Sequence, residues 1–269
     1  MIVTIVVAVI ALLLGMIAHH FLRRRDSDAD DSGLSVQDLI SPVQTLTVLI
    51  LAFILATAAT SYHKAQEAVH SEANAVDHLV EVADFVPDAA QRRRVQADVV
   101  CYTRAVRHFE WPAMSHGEDS AVPSAWTTDL RTVFKDIGPG QGTFGMLVAA
   151  DDSRAKARQT RLAESTPAVP WAVYWFMLVL LAITIMSLCL CIPRRNNRPQ
   201  LATLAMVTAL LTATLLLVHD AERPFGGAIS VGSAAITDVE QQATRAFDSG
   251  HTGAELPCDS HGHKKTRGA

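Results

Sequence analysis

The chain has 269 residues, 49% of them hydrophobic and 19% charged, and its 27 acidic and 23 basic side chains leave a formal net charge of -4. So slight an acidic balance excludes a protein built to grip nucleic acid through a basic surface. Information lies instead in where the apolar residues fall along the chain.

A hydrocarbon core about 30 Å thick is crossed by about 20 apolar residues at 1.5 Å of rise each. Four stretches meet or approach that length, at 1–22, 43–62, 168–192 and 201–218. None contains Lys, Arg, Asp or Glu, each of which costs roughly 3 kcal/mol at a helix centre. The first stretch reads as a retained anchor rather than a cleaved signal, because Arg23, Arg24 and Arg25 follow its apolar part instead of preceding it. A polar loop, 23–42, then leads to the second membrane helix, 43–62.

From Val43 to Val86 there is neither proline nor glycine, so one helix of about 66 Å is expected, over twice the hydrocarbon thickness. Beyond the membrane Ala65, Val69, Ala73, Val76, Leu79 and Ala83 keep a helical period, and Val95, Val99, Tyr102, Val106 and Phe109 offer a matching seam. Trp126, Leu130, Val133, Phe134 and Ile137 predict a third helix ending at Gly138, and a fourth runs from about Thr143 to Leu162. Residues 63–167 therefore read as a helical extramembrane bundle. The third membrane helix covers 168–192, a basic loop 193–200, and the fourth membrane helix 201–219. An Arg-Pro-Phe-Gly-Gly turn with a short surface helix follows at 220–247, and 248–269 has no apolar period and is expected to be disordered. The fold class is an all-α membrane protein of four transmembrane helices with a helical bundle inserted between the second and third. Of the four cysteines, Cys101, Cys189, Cys191 and Cys258, none suggests a disulfide framework by its spacing.

The stretch HDAERPFGGAISVG, 219–232, sets Asp220, Glu222 and Arg223 at the end of an apolar run. Pro224 ends the helix there, Gly226 and Gly227 permit a reversal, and Phe225 is expected to turn back onto Trp111 or Trp171. Arg223 is expected to bridge to Glu72 or Glu110, with Arg161 the other candidate partner of Glu72, and Asp220 to hold Arg161 or Arg158, as structural clamps. The bland alternative is that these charges mark the water boundary.

ERPFGG, with Glu72–Asn74 (EAN), Tyr102, Glu110–Pro112 (EWP), RLAES from Arg161 and Pro170-Trp171, resembles a bacterial family of membrane proteins with a bestrophin-like domain, from about Ser35 to Ile236. Where members carry Asp-Arg-Pro-Phe this chain has Glu222-Arg223-Pro224-Phe225, and where they carry a His-Asn-Asp type segment it has Gln37-Asp38. The resemblance implies a distant relation to bestrophins, pentameric anion channels in animals with cation-conducting bacterial relatives. Their large helical part is cytosolic.

A conducting protein needs a helix face that tolerates water. On the second membrane helix Thr57, Thr60, Ser61 and Lys64 supply one, and Leu46, Ile50 and Phe53 would form an apolar constriction before it. Hydroxyl and small residues serve equally well for helix packing. Glu72, Asp77 and Glu81 with His70 and His78, or Cys258 with His261 and His263, have metal-ligand chemistry, but a solvated face and a loose tail are the plainer readings. Neither a phosphate-binding glycine loop nor a nucleophile elbow is found, so no enzyme, cofactor or metal is expected. The expected function is an oligomeric, multi-pass, bestrophin-like ion channel in a lipid bilayer. The competing reading is a non-conducting scaffold or sensor whose bundle binds a partner protein.

Basic residues near the membrane ends tie at six a side, Arg23, Arg24, Arg25, Arg194, Arg195 and Arg198 against Lys64, Arg154, Lys156, Arg158, Arg161 and Arg223. Most of the second set belongs to a long loop, which the positive-inside rule discounts. The bundle is therefore expected outside the cytoplasm, against the bestrophin analogy.

Overall fold

The computed structural model describes residues 2–25, 36–166, 170–190 and 198–265. Helices α1 (Ile2–Arg25), α2 (Val36–Asp84), α3 (Ala89–Ala105), α4 (Trp111–Met114), α5 (Ala121–Ile137), α6 (Gly142–Ala163), α7 (Trp171–Leu190), α8 (Arg198–Ala221) and α9 (Ala234–Gly250) follow in order, and a π-helical turn, Val106–Glu110, joins α3 to α4. No strand occurs among the described residues. Four helices are long and apolar enough to cross a membrane, at Ile2–Phe21, Ser41–Asp84, Trp171–Leu190 and Pro199–Ala221. The basic loop expected at 193–200 falls largely outside the described residues.

Residues 1–60 and 168–222 form one unit. Its core joins Ala8 and Ala11 of α1, Leu51 and Ile54 of α2, Met177, Leu181 and Ile185 of α7, and Leu204, Leu215 and Val218 of α8. Two hydroxyl pairs lock its helices, Thr4 with Tyr174 at 2.6 Å and Thr47 with Thr184 at 3.0 Å. Buried hydroxyls without such partners would be costly. The outer faces carry exposed Ile5, Val9, Leu13, Phe176, Val179 and Leu210, as lipid-facing surfaces require.

Residues 61–167 and 223–269 form the second unit. Val69, Val76 and Leu79 of α2 share a core with Val95, Val99 and Tyr102 of α3, Trp126, Leu130 and Val133 of α5, and Ile236 and Phe247 of α9. The expected pairing of the two apolar faces is thus seen, and Gln96 of α3 adds a hydrogen bond to Asp84 of α2 at 2.6 Å. Asp88 caps α3 through the amides of Ala90 and Gln91, satisfying donors that a helix start otherwise leaves open.

Three expectations need correction. Helix α2 begins at Val36, with Pro42 inside it, so the polar loop is shorter than 23–42; proline there removes one backbone hydrogen bond and costs the helix stability without ending it. Helix α9 buries one face, where Ile236, Val239, Ala243 and Phe247 recur at spacings of three and four, and leaves Asp238, Gln241, Gln242 and Arg245 exposed on the other. The tail is not disordered over 248–265: α9 runs to Gly250 and defined turns follow. Its anchor is a disulfide, Cys101–Cys258, with Cα atoms 5.8 Å apart across 157 residues of sequence. Sequence spacing hid this link because the partners belong to distant segments.

The tail is seated by backbone as well as by sulfur. Gly262 has φ +92°, and an added Cβ would stand 2.4 Å from the Ala105 nitrogen, so no other residue lets the chain lie this close to α3. The indole of Trp126 donates to the Gly262 carbonyl at 2.7 Å. Lacking apolar period, 251–265 is held by these discrete contacts.

Candidate functional site

The buried face of α2 runs through Thr47, Leu51, Ile54, Ala58, Ser61, Ala65, Ala68, Glu72, Val76, Leu79 and Ala83. Spacings of four and three keep these residues on one stripe. Glu72 falls in that stripe with no exposed surface, so its register forces a carboxylate into the core, where it must be paired.

Helix α6 supplies the partner, since Arg154, Asp151, Arg158 and Arg161 lie within three turns of one another and face inward. Arg161, fully buried, donates Nε to Glu72 at 2.5 Å, Nη2 to Glu110, and Nη1 toward the Met114 sulfur at 2.8 Å. Arg158 grips the same Glu110 through Nε at 3.0 Å and reaches the Ser124 hydroxyl at 3.1 Å. Tyr102 donates its hydroxyl to Glu72 at 2.6 Å. Arg154 pairs with Asp151 at 2.8 Å and lies over the Tyr102 ring, 4.6 Å from its centre, while Arg161 stands 5.4 Å from the Trp111 ring centre. Glu72, Glu110 and Asp151 balance Arg154, Arg158 and Arg161 in charge.

The π-turn explains how Glu110 enters. Continued helical spacing from Val95, Val99, Tyr102 and Val106 would place Phe109 inward. One extra residue in the turn rotates the chain, so that Glu110 is fully buried while Phe109 lies half-buried against His263, ring centres 4.2 Å apart. Such turns mark places where a helix is bent to aim a side chain.

Electrostatics fix the protonation of Arg161 and Tyr102 near neutral pH. Burial opposes the charge of Arg161, but Glu72 and Glu110 outweigh it and hold the guanidinium well above its ordinary value. Tyr102 is pushed far above the ordinary phenol range, chiefly by burial and then by Glu72. Neither Arg161 nor Tyr102 is poised to exchange a proton near neutral pH.

Arg223 is exposed beside a small cleft with Met114, Ser115 and Ser165. Both carboxylates assigned to it are occupied, Glu72 by Arg161 and Glu110 by Arg158 and Arg161. Asp220 and Glu222 are buried and engaged near the end of α8. The turn after Arg223 matches its sequence: the amides of Gly226 and Gly227 donate to the Arg223 carbonyl at 3.0 Å, and that of Val231 to the Pro224 carbonyl. Phe225 is buried edge-on against Trp111, ring centres 5.5 Å apart. A Cβ at Gly226 would meet the Ser115 carbonyl at 2.5 Å, so glycine is required there by close approach. Asn74 is exposed.

About 100° around α2 from the buried stripe, Leu46, Phe53, Thr57, Thr60 and Lys64 are exposed and Ile50 half-buried. The Thr57 and Thr60 hydroxyls bond to their own helix, at Ile54 and Ala56 carbonyls. Ser61 departs from this seam: it is buried and donates to Glu164 at 3.4 Å. The metal readings also dissolve. Glu72 points inward, Asp77 accepts from Gln242, and Cys258 has no free thiol. Among the described residues no three metal-ligating side chains converge.

A family model for the bestrophin-like domain matches residues 3–236. The chain belongs to the bestrophin-like family. Solved structures of a bacterial bestrophin homologue from Klebsiella pneumoniae share its fold. One point-mutant form aligns with TM-score 0.71 at 12% identity, covering 91% of this chain and 97% of that one. Another mutant gives 0.70 at 14%, covering 90% and 98%. A form phased on zinc gives 0.69 at 13%, covering 91% and 98%. No curated protein sequence matches this chain. This bestrophin-like chain is a multi-pass membrane protein with an all-helical fold.

Proposed function

We propose that this bestrophin-like protein assembles as a homo-oligomer in the lipid bilayer and passes small ions along a path lined by the exposed seam of α2. Four helices span the membrane, and the unit built on 61–167 is an extramembrane bundle inserted between α2 and α7. The seam carries the reading: Leu46, Ile50 and Phe53 give way to Thr57, Thr60 and Lys64 on a helix whose neighbouring stripe is buried from Thr47 to Ala83. An apolar stretch followed by hydroxyls and a charge is what a dewetting gate with a wet vestibule requires. Glu72, Glu110, Arg158, Arg161 and Trp111, with Pro224, Phe225 and Gly227 at the turn, act as the clamp that keeps the bundle rigid behind that helix.

The bundle is placed outside the cytoplasm. Support comes from the Cys101–Cys258 disulfide, since such links persist in oxidising compartments and are rare in the cytosol. A cysteine at Glu118, which is exposed, should react with an impermeant thiol reagent on intact cells. Ser120 is less suitable, because it caps α5 and its carbonyl accepts from Arg158.

Purified protein fused into planar bilayers tests conduction. A current that rises when Phe53 is replaced by alanine supports the path. Absence of current across a range of pH, calcium and salt types assigns the protein to the non-conducting scaffolds or sensors.

A further inference from the structure

Outside the ionic network, Asp98 of α3 presents a carboxylate that is only 7% exposed and on which no hydrogen bond or ion pair closes among the described residues. It lines a cleft of about 700 Å³ together with Arg93, Arg94, Trp126, Asp129 and Lys265. The neighbouring carboxylate is already occupied: Lys264 pairs with Asp129 at 2.6 Å and stands 5.3 Å from the Trp126 ring centre. At the rim Arg94 holds Asp136 at 3.2 Å, Lys265 holds Glu255 at 3.3 Å, and Arg93 is exposed. One wall of the cleft is the tail, fixed by the disulfide and by the seat of Gly262 on α3.

We propose that this cleft binds a small zwitterion, its ammonium on Asp98 and its carboxylate on Arg93, Arg94 and Lys265. The chemistry selects that class by exclusion. A simple anion would be drawn to the basic rim but would leave Asp98 uncompensated, with Asp129 beside it. A polycation would satisfy Asp98 but meet three like charges at the rim. A molecule with both groups a few bonds apart satisfies floor and rim together. Burial, and next the charge of Asp129, push the Asp98 carboxyl up to about 7, so the cleft carries a group that a bound ammonium would stabilise in its charged form.

Titration calorimetry on the full chain in detergent, with its disulfide intact, tests the site using 6-aminohexanoate, β-alanine and glycine. Hexylamine and hexanoate serve as the single-charge arms. At least one zwitterion should bind about tenfold or more tighter than either arm. Asp98→Asn should weaken that zwitterion about 30-fold and leave hexanoate unchanged. Arg94→Gln, at an exposed position that leaves the fold intact, should bring the zwitterion toward the amine arm. Hexanoate binding as tightly as the zwitterions, unchanged affinity in Asp98→Asn, or no heat from any of the three at millimolar concentration would each overturn the proposal.

Discussion

Replacing Arg161 with glutamine tests whether the buried network holds the bundle together. Arg161 has no exposed surface, and neither have Glu72 and Glu110. Its loss affects them unequally: Glu110 keeps Arg158, but Glu72 keeps only the Tyr102 hydroxyl. One carboxylate is therefore stranded in the core, which costs about 3 to 5 kcal/mol. For a unit of this size each kcal/mol moves the melting temperature by about 2 to 4 °C, so a loss on the order of 10 °C is expected. Intrinsic fluorescence of the detergent-solubilised protein reads it directly, because Trp111 and Trp126 lie in the affected unit. Glu72→Gln in the same chain removes the stranded charge, and the double mutant should recover part of the loss, with a coupling of about 2 kcal/mol. A shift under about 2 °C for Arg161→Gln, or strictly additive losses, would refute the clamp.

Arg223→Gln, at an exposed position, should cost under about 1 kcal/mol and add independently to Glu72→Gln in the same melting assay. Leu79→Asp should destabilise the bundle by several kcal/mol, read as lost assembly on gel filtration, because Leu79 is fully buried. Cys258→Ser, or reduction of the native protein, should lower stability by about 5 kcal/mol on the chain-entropy model for a loop of 157 residues and expose the tail to protease first. Asp98, raised by burial from 3.8 to about 7, binds its proton more tightly folded than unfolded. Its favourable contribution is full below about pH 4 and is lost as pH rises through about 7, so Asp98→Asn should flatten the fall in melting temperature over that window, by at most about 4 kcal/mol in all.

The membrane helices were legible because burial in lipid demands long runs without charge, and such a run survives in one dimension. The α2 and α3 seams were legible for a similar reason: helical period turns sequence spacing into a face. Glu72, Tyr102, Glu110 and Arg161 stood out through family resemblance, and Arg161 was one of two candidate partners for Glu72, but the pairing of Glu110 with Arg158 and Arg161 was not foreseen. Pairing Arg223 with Glu72 followed from treating the charged turn as the novelty, whereas three arginines on one face of α6, at spacings of four and three, were the stronger signal of a buried cationic ridge. Asp151 and Arg154 were missed on the same helix. The π-turn was invisible, since one inserted residue changes no composition and breaks only the count between Val106 and Glu110. The disulfide and ordered tail were invisible too, because contacts across 157 residues leave no local period.

Likeness to bestrophin homologues and the disulfide bear on different questions. A shared fold at 12 to 14% identity fixes how helices pack, and packing is indifferent to which side of the membrane a bundle faces. Orientation is set by charge bias in short loops and registered afterwards by the chemistry of the compartment. The extracytoplasmic side proposed for the bundle rests on the loop bias, discounted for length, and on the disulfide. The same link fastens a tail that lacks an apolar face of its own and so would not stay folded on burial alone. If the bundle faced the cytosol, the thiols would stay reduced, the tail would lose its fastening, and the cleft beside Asp98 would lose a wall. Alkylating intact cells before lysis and then comparing reduced and non-reduced protein by mass decides between the two. An intact Cys101–Cys258 link in cells supports the outside bundle, and two alkylated thiols would reverse it.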